Sequence, residues 1–563
     1  MVWWRLNGGI RGSEIDPEDI FLDASNLPGL DRGQFEGRVE RPVSHRALFA
    51  LSSVFVLVML IFVGRAFTLQ VLEGEAYADI SRNNRLERSV LFATRGIVTD
   101  RNGVEIVWNE LETDAATSSL PFPARRYVER EGFTHLLGFV RYPKSDAHGK
   151  WWSEEYVGIS GIEHVFDELL RGKNGSRMTE IDARGGLVRE DIVEEPKTGG
   201  TLRLSIDAEV QAELARILQA HARAQGFQGG AAAVMDVRTG ELLALTSFPE
   251  YDNQAFSEGD AAAVAAANND PLTPLLNRAV AGLYAPGSIV KPLFAAAALH
   301  EHLIDPEKEI LSTGSISIPN PYDPSKPSIF KDWKAHGWVD MRRALAVSSD
   351  VYFYAIGGGF EDQRGLGIAK IDEYAKRFGL SIPTGISLGG ESAGIIPTPE
   401  WKRDVFDDEW RLGDTYNTAI GQYGFQVTPL QVVRAVSAIA NGGTLLTPQL
   451  LAGTRPTGVS IGIADEHLQI VREGMRASVT DGGTAAALDM GSIDIAGKTG
   501  TAQVGKRNEY INSWAIGFWP MKQPRYAFAV VLEKAPAGTL SGASPAMAPF
   551  FYWLRENKLE YVN

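Results

Sequence analysis

The sequence predicts an α+β chain carried by a single N-terminal membrane helix. A β-rich segment follows, and then a larger domain whose sheet is assembled from both of its ends. Three observations carry that expectation. Residues 47–64 are a charge-free run rich in Leu, Val, Ile and Phe, bounded by Arg46 and Arg65, which suffices for one transmembrane helix. Residues 71–200 read as strands and turns with one clear helical stretch. From residue 201 strands come early and late with a helix-rich middle, the pattern of an α+β domain.

The elements follow in order. Residues 1–46 are acidic and mixed, without periodicity, and are expected to be a cytoplasmic tail with a short helix near 17–22. Residues 47–70 are the anchor. A cleaved signal peptide is the competing reading, because Ala76-Tyr77-Ala78 looks like a cleavage site. The leader of 46 residues is too long for that, and the small residues lie too far downstream. Arg38, Arg41 and Arg46 precede the span and Arg65 follows it, so charge marks orientation weakly. A short inside tail and a large outside body is the simpler arrangement.

In the pedestal, 71–200, residues 94–107 hold Asn102-Gly103 between alternating residues, a hairpin signal. Residues 163–170 read as an amphipathic helix closed by Arg171-Gly172. In the last domain, 201–563, a long helix over 207–224 starts on Asp207, and 231–248 is a strand–turn–strand about Thr239-Gly240. Strands return at 493–504, 513–519 and 526–532, and a helix closes at 545–554.

The 563 residues are enough for two or three domains. A net charge of −15 argues against a nucleic-acid binder. No cysteine is present, which excludes disulfides, thiolate nucleophiles and cysteine-based zinc or iron–sulfur sites. No HExxH pair occurs either. No cofactor and no metal are expected.

Chemistry concentrates in three motifs: Ser288-Ile289-Val290-Lys291, Ser348-Ser349-Asp350 and Lys498-Thr499-Gly500. Each has a decoy. Ser328-Ile329-Phe330-Lys331 is a second SxxK in a loop-like stretch after Pro324 and Pro327. Ser81-Arg82-Asn83 sits just past the membrane segment. Lys197-Thr198-Gly199 reads as a turn before the strand-like run 201–206. Ser288 differs: Pro286-Gly287 precede it and an Ala-rich helical run follows. That places Ser288 at a helix N-terminus with Lys291 on the same face.

Ser288 is the expected nucleophile, and a serine hydroxyl needs a base. None of the nine histidines falls in the motifs, so Lys291 is the candidate base, provided burial or positive charge strips its proton. Lys498 is the candidate source of that charge. Ser348 would relay a proton between Lys291 and the leaving amine. Asp350 would accept hydrogen bonds from Lys291 or substrate, although a carboxylate there also favours the Lys291 ammonium. Its plainer role is a helix start. Lys498 to Thr501 should lie on a strand to which an extended peptide could add. Thr499, Thr501 and Lys498 would then hold a substrate carboxylate, Gly500 would allow close approach, and the Ser288 and Thr501 amides would form an oxyanion hole. A phosphate-binding loop at 491–499 is rejected, since five residues rather than four separate its glycines.

The ordered set resembles the signature of penicillin-binding proteins and class A β-lactamases. The chain is similar to the class B penicillin-binding proteins from about residue 40 onward. The matching stretches are 95–103, 158–163, 229–236, 284–288, 427–431 and 497–503, the last ending on Gln503. Ser348-Ser349-Asp350 before Val351-Tyr352-Phe353-Tyr354 resembles the elongation-type branch, whereas division-type relatives usually carry Asn in place of Asp350.

The resemblance implies a transpeptidase/β-lactamase-like catalytic domain that cross-links peptidoglycan stem peptides. It would use a Ser288 acyl-enzyme, release D-alanine and be acylated by β-lactams, with Gln503 in the substrate-binding strand. It also implies a SEDS-family glycosyltransferase partner gripped through anchor and pedestal. Alternatives are a division-type transpeptidase, a D,D-carboxypeptidase or β-lactamase in which water resolves the acyl-enzyme, and a non-catalytic activator. The family's Gly-Gln-Gly reads Gly421-Gln422-Tyr423 here, a departure expected to reshape a loop near the site. Some relatives hold a metal through a cysteine this chain lacks, so no zinc is expected and His336 is read as structural.

Overall fold

A computed structural model describes residues 44–83, 86–110, 122–181, 187–320, 323 and 325–562. The short helix expected near 17–22 lies outside the described residues. The anchor helix, His45–Phe67, runs on through Thr68–Leu72, and its apolar side chains are exposed throughout. A helix of this length with no charge over 47–64 is a membrane span by composition.

The segment from residue 201 onward rests on five antiparallel strands. These are β1 (Gly229–Asp236), β2 (Leu242–Phe248), β3 (Ala496–Val504), β4 (Tyr510–Trp519) and β5 (Tyr526–Pro536). They stand in the order β2-β1-β5-β4-β3. The sheet does therefore join both ends of the domain, and β3 is a free edge. Alternation sorts its side chains: Ala232, Val234, Phe528 and Val530 face one core with the helices Ala208–Gln225 and Ala543–Asn557. Ala231, Ala233, Ala529 and Val531 face the other, with the helices Lys291–His300 and Pro429–Ala440. Burial on both faces explains why β1 reads as an unbroken apolar run.

The expected hairpin is present. Val98–Thr99 pairs with Glu105–Glu110, and Asp100 Oδ1 accepts from the Asn102 and Val104 amides to close the turn. Leu202–Arg203 and Ala124–Tyr127 complete that sheet, and Leu86–Leu91, Gly175–Ile181 and Leu187–Glu194 form another. The helix expected over 163–170 is two short ones, Gly161–Val165 and Asp167–Arg171, broken at Phe166. The break turns Asp167 inward, where it accepts from the Gly158 amide at 2.8 Å and pairs with Arg95 at 2.7 Å. Fully buried Glu163 binds Arg95 and Arg125 at 2.7 Å each. The motif residues of the pedestal thus form an ionic knot inside it.

The segment 71–200 and the one that follows it meet at Asp207. Its Oδ1 caps the helix Ala208–Gln225, while Oδ2 accepts from Tyr561 at 2.8 Å and from pedestal Asn102 at 3.0 Å. The decoy Ser328–Lys331 is a strand paired with Ser315–Ile318, not the loop expected. It cannot present a serine and a lysine on one helical face.

Candidate active site

Ser288 lies in a tight turn, Gly287–Val290, that runs straight into the buried helix Lys291–His300. Gly287 is required there. Its φ is +56°, and a Cβ would come within 2.9 Å of Thr501 O. Gly421 is required opposite, since its own Cβ would meet Gly287 O at 2.2 Å. Gly500 completes the close approach: a Cβ would stand 2.8 Å from Pro286 O. The Ser288 turn and β3 therefore abut backbone to backbone.

Lys291 is fully buried and makes three contacts. Its Nζ donates to Asp350 Oδ1 at 2.6 Å, to Ser348 O at 2.7 Å and to Ser348 Oγ at 3.3 Å. Ser348 ends the helix Met341–Val347 in a left-handed conformation, φ +60° and ψ 39°. Such a backbone costs a non-glycine residue on the order of 1–3 kcal/mol and persists where the surroundings enforce it. The conformation turns both the carbonyl and the hydroxyl of Ser348 toward the lysines. Ser349 then caps the helix Asp350–Gly358, so Asp350 is both the helix start and the partner of Lys291.

Lys498 Nζ donates to Ser348 Oγ at 2.8 Å and to Thr499 O at 2.8 Å. Burial and the neighbouring Lys291 push its ammonium well below the ordinary lysine range, against the pull of Asp350. Sequence reasoning makes Lys498 the charge that strips Lys291, but the carboxylate sits on Lys291, and Lys498 is the lysine driven toward its neutral form. Ser288 Oγ makes no hydrogen bond to these groups at rest among the described residues. Such contacts often tighten only when substrate binds.

Two further residues escaped sequence reasoning. Asp332 is buried beneath the second motif, where its Oδ2 accepts from Ser349 Oγ at 2.8 Å, Val351 N at 3.0 Å and Ser312 Oγ at 3.2 Å. Burial opposes its charge, but these donors hold its carboxyl below the usual range. His336 Nε2 lies 3.4 Å from Asp332 Oδ1. Among the described residues no three His, Cys, Asp or Glu converge as a metal site. Thr484 is the second, accepting from Thr499 Oγ1 at 2.8 Å. No spacing rule marks either, because both act across long stretches of chain.

Lys291, Ser348, Asp350 and Lys498 therefore come together, and Ser288 lies on the turn that leads into Lys291. Thr499 stands beside them, and Thr501 and Gln503 project from the free edge of β3, exposed.

Residues 230–552 match the family model of the penicillin binding protein transpeptidase domain, and residues 118–204 that of the penicillin-binding protein dimerisation domain. The chain is 28% identical to the peptidoglycan D,D-transpeptidase MrdA of Acinetobacter baumannii, over 92% of this chain and 89% of that protein. It is 30% identical to the MrdA of Haemophilus influenzae, over 77% of this chain and 70% of that one. Among solved structures it is similar to the penicillin-binding protein PBP2 of Helicobacter pylori in its complex with MreC. There the TM-score is 0.70 at 28% identity, covering 84% of this chain and 99% of that one.

Proposed function

Since the chain belongs to the penicillin-binding protein transpeptidase family, we propose that Ser288 is the acylated nucleophile and that Lys291, Ser348 and Lys498 form its proton relay. The protein is an elongation-type class B penicillin-binding protein and a peptidoglycan D,D-transpeptidase. The observation that carries the relay is the sharing of Ser348 Oγ by two buried lysines, at 2.8 Å and 3.3 Å.

Neutral Lys498 takes a proton from the Lys291 ammonium through the Ser348 hydroxyl. Lys291 is then the base that accepts the Ser288 proton as Oγ attacks the carbonyl of a terminal D-Ala-D-Ala bond. The oxyanion forms against the amides of Ser288 and Thr501, at the end of the turn leading into the helix. The C–N bond breaks, Ser348 hands the proton to the departing D-alanine amine, and an ester remains on Ser288. The amine of a second stem resolves it. Thr499 and Thr501 hold the substrate carboxylate, and Asp350 keeps Lys291 in place between cycles. No step needs a metal or an organic cofactor.

Residues 71–200 act as the pedestal and 201–563 as the transpeptidase domain. The anchor places the catalytic domain outside the membrane and the N-terminus in the cytoplasm. A SEDS-family glycosyltransferase is the partner we assign to anchor and pedestal. The test is intact-mass analysis of the detergent-solubilised full chain after exposure to benzylpenicillin, followed by peptide mapping. A long-lived adduct on Ser288 is expected. An adduct lost within seconds would mark a hydrolase, and none from folded protein would overturn the assignment.

A further inference from the structure

A cavity of about 680 Å³ opens beside the second motif and takes no residue from β3 or from the Ser288 turn. Its size is that of a small-ligand site, about 300–1,000 Å³. Buried Val351, the residue after Asp350, forms part of its wall.

The walls differ in chemistry. One is apolar. The strands Ile310–Ser312 and Gly337–Val339 pair antiparallel with Leu311 directly opposite Trp338, so the two side chains stand on one face. Both line the cavity, and they are 45% and 62% exposed. Side by side they make an apolar platform open to a ligand. The other wall is polar. Ser315 and Ser317 are two apart on the strand Ser315–Ile318 and share a face, and Thr313 extends their row of hydroxyls. Phe360 and Gln363 exchange backbone hydrogen bonds at 2.9 Å, which leaves Glu361-Asp362 as a two-residue turn with Glu361 left-handed at φ +50°. Such strain collects at functional sites. The turn brings two carboxylates to the cavity, and Glu309 adds a third. Buried Gln363 donates its amide to Leu303 O and Arg364 O, which fixes its oxygen to accept from Lys308 Nζ at 3.0 Å. Lys308 also pairs with Asp362 at 3.5 Å. Among the described residues the carboxylates of Glu309 and Glu361 have no partner.

These walls select a ligand. Three carboxylates against one ammonium repel an anion, which excludes phosphates and the carboxylates of a stem peptide. A pyranose ring fits: its C–H faces are apolar, and its rim carries hydroxyls that donate to carboxylates and exchange hydrogen bonds with serines. Stem peptides are borne on strands of N-acetylated amino sugars, so sugar must pass close to a domain that acts on those peptides. We propose that the cavity holds the glycan strand of peptidoglycan, with one sugar ring stacked on Trp338 and Leu311 and its hydroxyls bonded to Glu309 and Glu361. The cavity is tied to the second motif. Ser312 Oγ, on the Leu311 strand, and Val351 N both donate to Asp332 Oδ2, at 3.2 Å and 3.0 Å, and Ser349 Oγ donates to the same oxygen at 2.8 Å. This inference rests on the peptidoglycan reading above, but sugar binding does not need an acylable Ser288.

The test is saturation-transfer NMR titration of the full chain with chitotetraose, a soluble β-1,4-linked oligomer of N-acetylglucosamine. The detergent is lauryldimethylamine oxide, whose headgroup is not a sugar. Saturable binding is expected. Trp338→Ala should weaken it by about tenfold or more, as loss of an aromatic anchor does. Glu309→Gln combined with Glu361→Gln should weaken it by about threefold, since amide oxygens still accept from hydroxyls. Acylation of Ser288 by benzylpenicillin should stay within about twofold of wild type in both variants, as for sites that share no partner, and it serves as their folding control. Absence of chitotetraose binding by protein that benzylpenicillin labels overturns the cavity assignment alone, as does an unchanged affinity in Trp338→Ala. Binding of trilysine in place of chitotetraose, lost in the double Gln variant, would mark an amine site and overturn it too. Chitotetraose binding without a label on Ser288 supports the cavity and overturns the Ser288 reading.

Discussion

Replacing Lys498 by Arg tests the relay most directly. Arginine keeps a charge and donors at this position but stays protonated throughout the accessible range. The two lysine nitrogens both reach Ser348 Oγ, at 2.8 Å and 3.3 Å, so they lie no more than roughly 6 Å apart. Two full charges at that distance repel by about 3 kcal/mol at an effective dielectric of about 20. Asp350, 2.6 Å from Lys291, relieves that repulsion on one side only, and Lys498 is the group that yields. In Lys498→Arg the proton acceptor is gone and the repulsion is permanent. Loss of a positioned acid–base group costs on the order of 10²- to 10⁴-fold, and acylation by benzylpenicillin should slow by that factor. The assay is the second-order acylation rate across pH 5.5 to 9.5, with circular dichroism as the folding control. In the wild type the rate should rise with pH as Lys498 loses its proton, reaching its plateau below the ordinary lysine range. Lys498→Arg should lose that rise. A flat wild-type profile, or a Lys498→Arg rate within tenfold of wild type, would refute the relay.

Glu163→Gln should destabilise the pedestal by about 3–5 kcal/mol, because it strands Arg125 without a carboxylate and leaves Arg95 with Asp167 alone. Thermal unfolding of the full chain measures it, and an unchanged midpoint would show that the knot is replaceable. Asp332→Asn should slow acylation by about tenfold through a displaced Ser348, since small misplacements are costly; a loss of stability alone would confine Asp332 to a structural role. Stability should also fall in acid. The native carboxyls of Asp207 and Asp332 lie below the usual range: burial opposes their charge, but hydrogen bonds to it prevail. Their contribution is present above the unfolded value of about 3.9 and is lost as pH falls through it toward the native values. Unfolding midpoints should be level between about pH 5 and 7 and drop below about 4, and Asp207→Asn should shrink that drop.

Much of this was legible in the sequence because it depends on residue identity at short range. The anchor needs only a run of apolar residues, the Asn102-Gly103 turn only its own chemistry, and the helix from Ala208 only Asp207 as its cap. The five strands were legible because sheet burial on both faces writes itself as apolar runs. What was not legible depends on partners far away in the chain. The break at Phe166 exists because Asp167 turns inward to Arg95, seventy-two residues earlier. Periodicity cannot register that. Ser328–Lys331 is a strand because Ser315–Ile318 lies beside it, although its own prolines suggested a loop.

The two motif lysines show where the boundary lies. The motifs named Lys291 and Lys498 but not which of them meets a carboxylate, because that depends on a third residue's backbone. Had Ser348 continued the helix Met341–Val347, its carbonyl would have pointed along the helix axis, away from Lys291. The left-handed turn at Ser348 instead brings that carbonyl to 2.7 Å from Lys291, with Asp350 two residues on at 2.6 Å. Lys291 thereby gains two acceptors, one of them a carboxylate, while Lys498 is left with neutral oxygens and full burial. Asp332 enforces the turn from below through Ser349 and Val351. The contrast between the two lysines thus rests in part on a carboxylate bonded to neither, and exchanging Asp332 should alter the pH profile of acylation as well as its rate.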